Sequence, residues 1–138
     1  TMKLIYPAIF TPCKELTGFT VEFPDLPGCV TEGRDLAEAM DMAADAASGW
    51  ILDEMEDGNN YPGPSDLRSV VGPSDGFVSL ILLDMDSYAE RYGSKTIRKN
   101  ITIPAWLNTY GEKKGLNFSK VLQDALVAAA QSEQRHQG

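Results

Sequence analysis

The chain predicts an α+β fold in two units: a β-β-β-α-β unit over residues 1–92 and a β-α-α unit over residues 93–138. Three observations lead there. Apolar residues alternate in short N-terminal segments, then recur at intervals of three and four over residues 35–57, the signatures of strands and of an amphipathic helix. A second alternating segment, at residues 97–103, is followed by two helical patterns separated by glycine. The charge divides at the same place. The net −8 of the 138 residues splits into 5 basic against 17 acidic side chains up to Tyr92 and 7 basic against 3 acidic beyond it, so a −12 unit precedes a +4 unit. With 43% hydrophobic residues there is material for a core, which excludes wholesale disorder.

The first unit opens with a strand over Lys3–Thr11, where Leu4, Tyr6, Ala8 and Phe10 share one side. Gly18–Pro24 alternates again, with Phe19, Val21 and Phe23 inward and Thr20 and Glu22 outward. The rigid Pro24-Asp25-Leu26-Pro27-Gly28 turn leads to a short strand at Cys29–Glu32, completing an antiparallel meander. Asp35–Asp57 is a helix with the stripe Leu36, Ala39, Met40, Ala43, Ala47, Trp50, Ile51 and Met55, and Gly58 stops it. Asp35 is placed in its first turn, complementing the helix dipole. Asn59–Gly76, rich in Gly and Pro, is a long connection of the kind that carries function or an interface. Phe77–Leu83, the most apolar segment, reads as a central strand.

In the second unit Ile97, Ile101 and Ile103 face one side of a strand and Arg98, Asn100 and Thr102 the other. Pro104 opens a short helix to Lys114 with Trp106, Leu107 and Tyr110 as its apolar face. Gly115 breaks it, and Asn117 caps a second helix, Phe118–Ser132, with Phe118, Val121, Leu122, Ala125, Leu126 and Ala129 on its core side. A lone strand lacks a sheet partner, so the unit calls for a two-fold dimer whose strands pair across the axis. Such a ribbon fits the DNA major groove, where Arg98 can read guanine, Asn100 adenine, and Thr102 a base edge or the thymine methyl. Amides at Asn117, Phe118 and Ser119 suit a phosphate, and Lys95, Lys113, Lys114 and Lys120 add sequence-independent attraction.

These segments resemble two known families. IRKNITIPAWLNTYGEKKGLNFSKVLQDAL is similar to the ribbon-helix-helix repressors, whose base-reading positions match Arg98, Asn100 and Thr102 and whose phosphate clamp matches Asn117–Ser119. GFTVEFPDLPGCVTEGRDLAEAMDMAADAASGWILDEMEDG resembles the HicB antitoxins, together with the YPA strand at Tyr6–Ala8 and the PGPS segment at Pro62–Ser65. That resemblance implies a partial RNase H-like fold for residues 1–92. It also implies a partner of the HicA type, a small basic toxin that cleaves RNA with a histidine, and a palindromic operator as the DNA target. The oligomer expected is a dimer through the ribbon, or a tetramer if the acidic units also pair.

The composition agrees with this reading. Repulsion between carboxylates and phosphates confines nucleic-acid binding to residues 93–138, while the −12 unit suits a cationic protein. Glu22, Asp25 and Glu32, beside the turn, are the candidate toxin contacts. Other functions fare worse. A nuclease would need converging carboxylates, but Asp41, Asp45, Asp53, Glu54, Glu56 and Asp57 follow one helix and Asp84 and Asp86 end a strand, so no catalytic residue is assigned. No metal or cofactor is expected either: Cys13 and Cys29 lack metal-ligand spacing and read as free thiols, and His136 lies in a polar tail. A regulator whose first unit senses a small molecule is the alternative. The longest apolar runs fall short of a membrane span, so a cytoplasmic protein, nucleoid-associated when on its operator, is expected.

Overall fold

The computed structural model describes residues 2–14, 17–93 and 96–137, with side chains up to residue 133; Lys95 and the His136 side chain lie outside the described residues. Four strands, β1 (Lys3–Pro12), β2 (Phe19–Glu22), β3 (Val30–Gly33) and β4 (Phe77–Asp84), make one antiparallel sheet in the order β3-β2-β1-β4. The meander is as expected, but β4 is an edge strand and β1 occupies the centre. The apolar run Leu80–Leu83 of β4 does not come from burial on both faces: Ile81 and Leu83 are buried, while Leu80 and Leu82 remain exposed. β3 starts at Val30 because Cys29 is held in the turn. Its N–H donates to the Leu26 carbonyl and its own carbonyl accepts from the Phe23 N–H.

Helix α1 (Leu36–Glu56) covers one face of the sheet. Asp35 is its N-cap, not part of its first turn: the backbone there is extended and the carboxylate accepts the Glu38 N–H at 2.8 Å. Gly58, at φ +75°, ends the helix in the left-handed conformation that glycine adopts without strain. The buried stripe is Ala39, Ala43, Ala47, Ser48 and Ile51, whereas Leu36 and Met40 are exposed. Alanines let the helix sit close to the sheet, over Tyr6, Ala8, Phe10, Val21, Ile81 and Leu83. Each large side chain fully buried there contributes about 1.5–3 kcal/mol. Contact is tightest at Gly33, where a Cβ would lie 2.3 Å from the Ala39 nitrogen.

A helix absent from the sequence reading, α2 (Met85–Tyr92), follows β4 directly. Its signals are Asp84, which caps it by accepting the Ser87 N–H at 3.1 Å, Asp86 in the first turn and Arg91 in the last. In the sequence both aspartates suit a strand end equally well. Tyr88 of α2 packs over α1 where Gly49 leaves room for its hydroxyl, and its ring stacks at a tilt on Tyr92, 4.7 Å between centroids.

The C-terminal unit holds α3 (Ala105–Lys113) and α4 (Phe118–Gln137). Gly115, at φ +66°, turns the chain between them. Gly111 is buried against the Phe118 ring, and a Cβ there would come within 2.2 Å of it. α4 runs further than the expected Ser132. Residues 96–104 form no strand in the single chain, which follows from strand geometry: a ladder requires a neighbour. The intended core faces are likewise uncovered, with Ile97 90%, Trp106 69% and Leu126 60% exposed. Val127 of α4 packs against the edge of the N-terminal core.

Candidate functional site

The family-like motifs around the meander serve mainly to tie loops down. Tyr6 is buried and its hydroxyl donates to the Pro62 carbonyl at 2.6 Å; burial, with Tyr61 and Asp25 nearby, pushes its pKa well above the usual tyrosine range. Trp50 Nε1 donates to the Pro27 carbonyl at 3.0 Å, pinning the proline turn to α1. Asp25 accepts the Ser65 N–H at 2.9 Å and also the Ser65 hydroxyl. Loop 59–76 is therefore fastened at two points, to β1 at Tyr6 and to the proline turn at Asp25. Cys29, within this turn, is free and buried, and burial pushes its thiol up to about 11; Cys13 is free and partly exposed.

The three candidate carboxylates of this region separate accordingly. Asp25 is engaged with Ser65. Glu22 and Glu32 are exposed and lie on the sheet face away from α1, since residues directly opposite in an antiparallel ladder share a face. Glu22 stands opposite Ile9 on one side and Val30 on the other, and Glu32 stands opposite Thr20. The same outer face carries Ile5 opposite Leu82, Pro7 opposite Leu80 and Ile9 opposite Val78. Ile5, Leu80 and Leu82 stand out only once the register is known; in the sequence their signal is the apolar run Leu80–Leu83, which equally suits a strand buried on both faces.

In the C-terminal unit Arg98, Asn100 and Thr102 are all exposed. Asn117 is a cap, its Oδ1 accepting the Lys120 N–H at 3.1 Å. Phe118 lies on Gly111, and Ser119 and Lys120 are exposed. Lys120 pairs with Asp124 at 3.5 Å, a solvated contact of little energetic weight. Lys113 ends α3, and Lys114 sits 6.0 Å from the Tyr110 ring centre. In the single chain Asn117, Ser119 and Lys120 border a cleft of about 720 Å³ whose other wall includes Asp86 and Glu90 of α2. Among the described residues no cluster of three or more His, Cys, Asp or Glu side chains could hold a metal ion, and no helix is long and apolar enough to cross a membrane.

The chain is similar to several known proteins. A family model described as HicB-like antitoxin of bacterial toxin-antitoxin systems matches residues 6–122. An uncharacterized 14.9 kDa protein of Haemophilus phage HP1 is 29% identical over 104 residues, covering 75% of this chain and 76% of that protein. Antitoxin HicB of Escherichia coli K12 is 41% identical over 64 residues, 46% of each chain, so the chain spans about half the length of that relative. Among solved structures, a chain of a toxin-antitoxin complex from Streptococcus pneumoniae superposes with a TM-score of 0.61 at 28% identity, covering 93% of this chain and 99% of that one.

Proposed function

From the premise that the chain belongs to the family of HicB-like antitoxins of bacterial toxin-antitoxin systems, we propose that its N-terminal unit neutralises a HicA-type RNA-cleaving toxin and its C-terminal unit represses the operon that encodes both. The family consists of binding proteins, and the chain is an antitoxin, not an enzyme. The observation that carries the neutralising half is the family match joined to the −12 charge of residues 1–92. A toxin that grips RNA presents cations where phosphates would lie, and a surplus of carboxylates speeds its capture and excludes its substrate. The four-stranded sheet with α1 on one face supports a partial RNase H-like unit.

The repressing half rests on residues 93–138, with domains dividing at Gly93. The exposed apolar side chains of residues 97–103, α3 and α4 need a cover. A second copy supplies it by pairing residues 97–103 antiparallel across a two-fold axis and interlocking the helices as a ribbon-helix-helix dimer. Arg98, Asn100 and Thr102 then project into the major groove of a palindromic operator. The α4 start, with Asn117–Lys120, and the α3 end, with Lys113 and Lys114, take phosphates, with Lys95 nearby in sequence. Such contact draws the α4 start away from Asp86 and Glu90, whose charge opposes phosphate.

Co-expression of the full chain with a small basic protein encoded beside it tests both halves. Copurification as a stable complex that retards operator DNA is the expected result. A chain that neither retains the basic protein nor binds the DNA upstream of its gene contradicts the reading.

A further inference from the structure

The sheet has two faces, and α1 covers only one. The other carries a continuous row across all four strands, Val30–Glu22–Ile9–Val78, set by the β3-β2, β2-β1 and β1-β4 registers. Beside it lie Pro7 with Leu80 and then Ile5 with Leu82. Pro7 is itself fully buried, and Gly72 of loop 59–76 lies against Val78, so the open part of this face is the Ile5, Leu80 and Leu82 end. Three neighbouring apolar side chains are substantially open to solvent, Ile5 49%, Leu80 47% and Leu82 56%, while Val30, 56% exposed, stands apart beyond Glu22. A contiguous apolar patch on a sheet is costly to leave in water and, when rimmed by charge, marks an interaction surface. Its flank toward β2 and β3 is anionic, with Glu22 of β2 and Glu32 of β3 both exposed.

We infer that this outer sheet face is the docking surface for the cationic toxin, with Leu80, Leu82 and Ile5 as its apolar centre and Glu22 and Glu32 as its charged flank. The inference rests on the antitoxin reading and deepens it by naming the surface. Charge selects the occupant. A second copy laid face to face would crowd the Glu22 and Glu32 carboxylates of both chains into one interface, each backed by a −12 unit. Nucleic acid meets the same repulsion. A basic protein with an apolar centre meets attraction at the flank and burial in the middle, the usual division between a desolvated core and a polar rim.

The test is a binding titration of the full chain against the small basic protein encoded beside it, inactivated at its histidine. Leu80→Asp with Leu82→Asp should weaken the complex at least 30-fold. Glu22→Lys with Glu32→Lys should slow association about tenfold at low salt and flatten its salt dependence. Met42→Asp, on exposed α1, should change affinity by less than threefold. Circular dichroism and thermal unfolding check each fold; if the aspartates unfold the sheet, Leu80→Ser with Leu82→Ser replaces them with the same expected direction. A wild-type complex left intact by folded sheet variants overturns the surface assignment alone. So does a fall in the sedimentation mass of the free chain in those variants, which would give the face to a second copy. Failure of the wild-type chain to bind the basic protein at all overturns the antitoxin reading and the surface with it.

Discussion

Substituting Gly33 by alanine should unfold the N-terminal unit at a markedly lower temperature. The added Cβ would stand 2.3 Å from the Ala39 nitrogen, 2.5 Å from its Cα and 2.7 Å from the Glu38 carbonyl carbon. All three are backbone atoms of the first turn of α1, so no rotamer change relieves the clash. Restoring ordinary contact requires that β3 and α1 part by roughly 1 Å, which loosens the layer holding Ala39, Ala43, Ala47 and Ile51 against the sheet. Overpacking of this kind costs about 1–3 kcal/mol. For a unit of this size each kcal/mol lowers the melting temperature by roughly 4–8 °C. Differential scanning calorimetry should therefore show a drop of about 5–20 °C. Adding Ala39→Gly should not restore it, because the atoms met belong to the backbone. A Gly33→Ala chain melting within about 2 °C of wild type would refute the close-approach reasoning, and so would rescue by Ala39→Gly.

Further outcomes follow from other sites. Tyr6→Phe removes the donor to the Pro62 carbonyl and should cost about 1 kcal/mol, with faster hydrogen exchange in loop 59–76 as its local readout. Cys29 should resist alkylation between pH 7 and 9 while Cys13 reacts, because its folded-state thiol stays protonated up to about pH 11. Since the unfolded thiol ionises first, near the ordinary thiol value of 9.0, that group's contribution to stability should fall as pH rises from about 9 to 11, which chemical denaturation across that window, in wild type against Cys29→Ala, would read. Arg98→Ala and Asn100→Ala should each weaken operator binding by about 1–3 kcal/mol per lost base contact and relax specificity at one position per half-site, as measured by mobility shift on wild-type and base-substituted operators.

Much of this architecture was legible because local signals and tertiary needs agreed. The alternation around Tyr6 and Val21, the rigid proline turn and the alanine stripe of α1 each admit one structure that buries their apolar side. The misplaced elements are those where one pattern serves two causes. A strongly apolar segment such as Phe77–Leu83 suits a central strand, but β4 is an edge whose outward Leu80 and Leu82 stay uncovered. Asp84 and Asp86 suit a strand end and also the cap and first turn of α2. Of the three carboxylates chosen near the turn, sequence could place Glu22 and Glu32 outward by parity. It could not foresee that Asp25 would hold Ser65, forty positions away. The segment around Ile101 forms no strand in the single chain; a ladder needs a neighbour, which the proposed dimer would supply.

The neutralising role can be measured in a single titration. Full-length chain is added to a fixed concentration of the small basic protein encoded beside it, and cleavage of a labelled RNA is followed. The account predicts that cleavage falls linearly and ceases at a fixed stoichiometric ratio, with Leu80→Asp/Leu82→Asp chain far less effective at the same concentrations. RNA cleavage that continues unchanged in excess wild-type chain would contradict it.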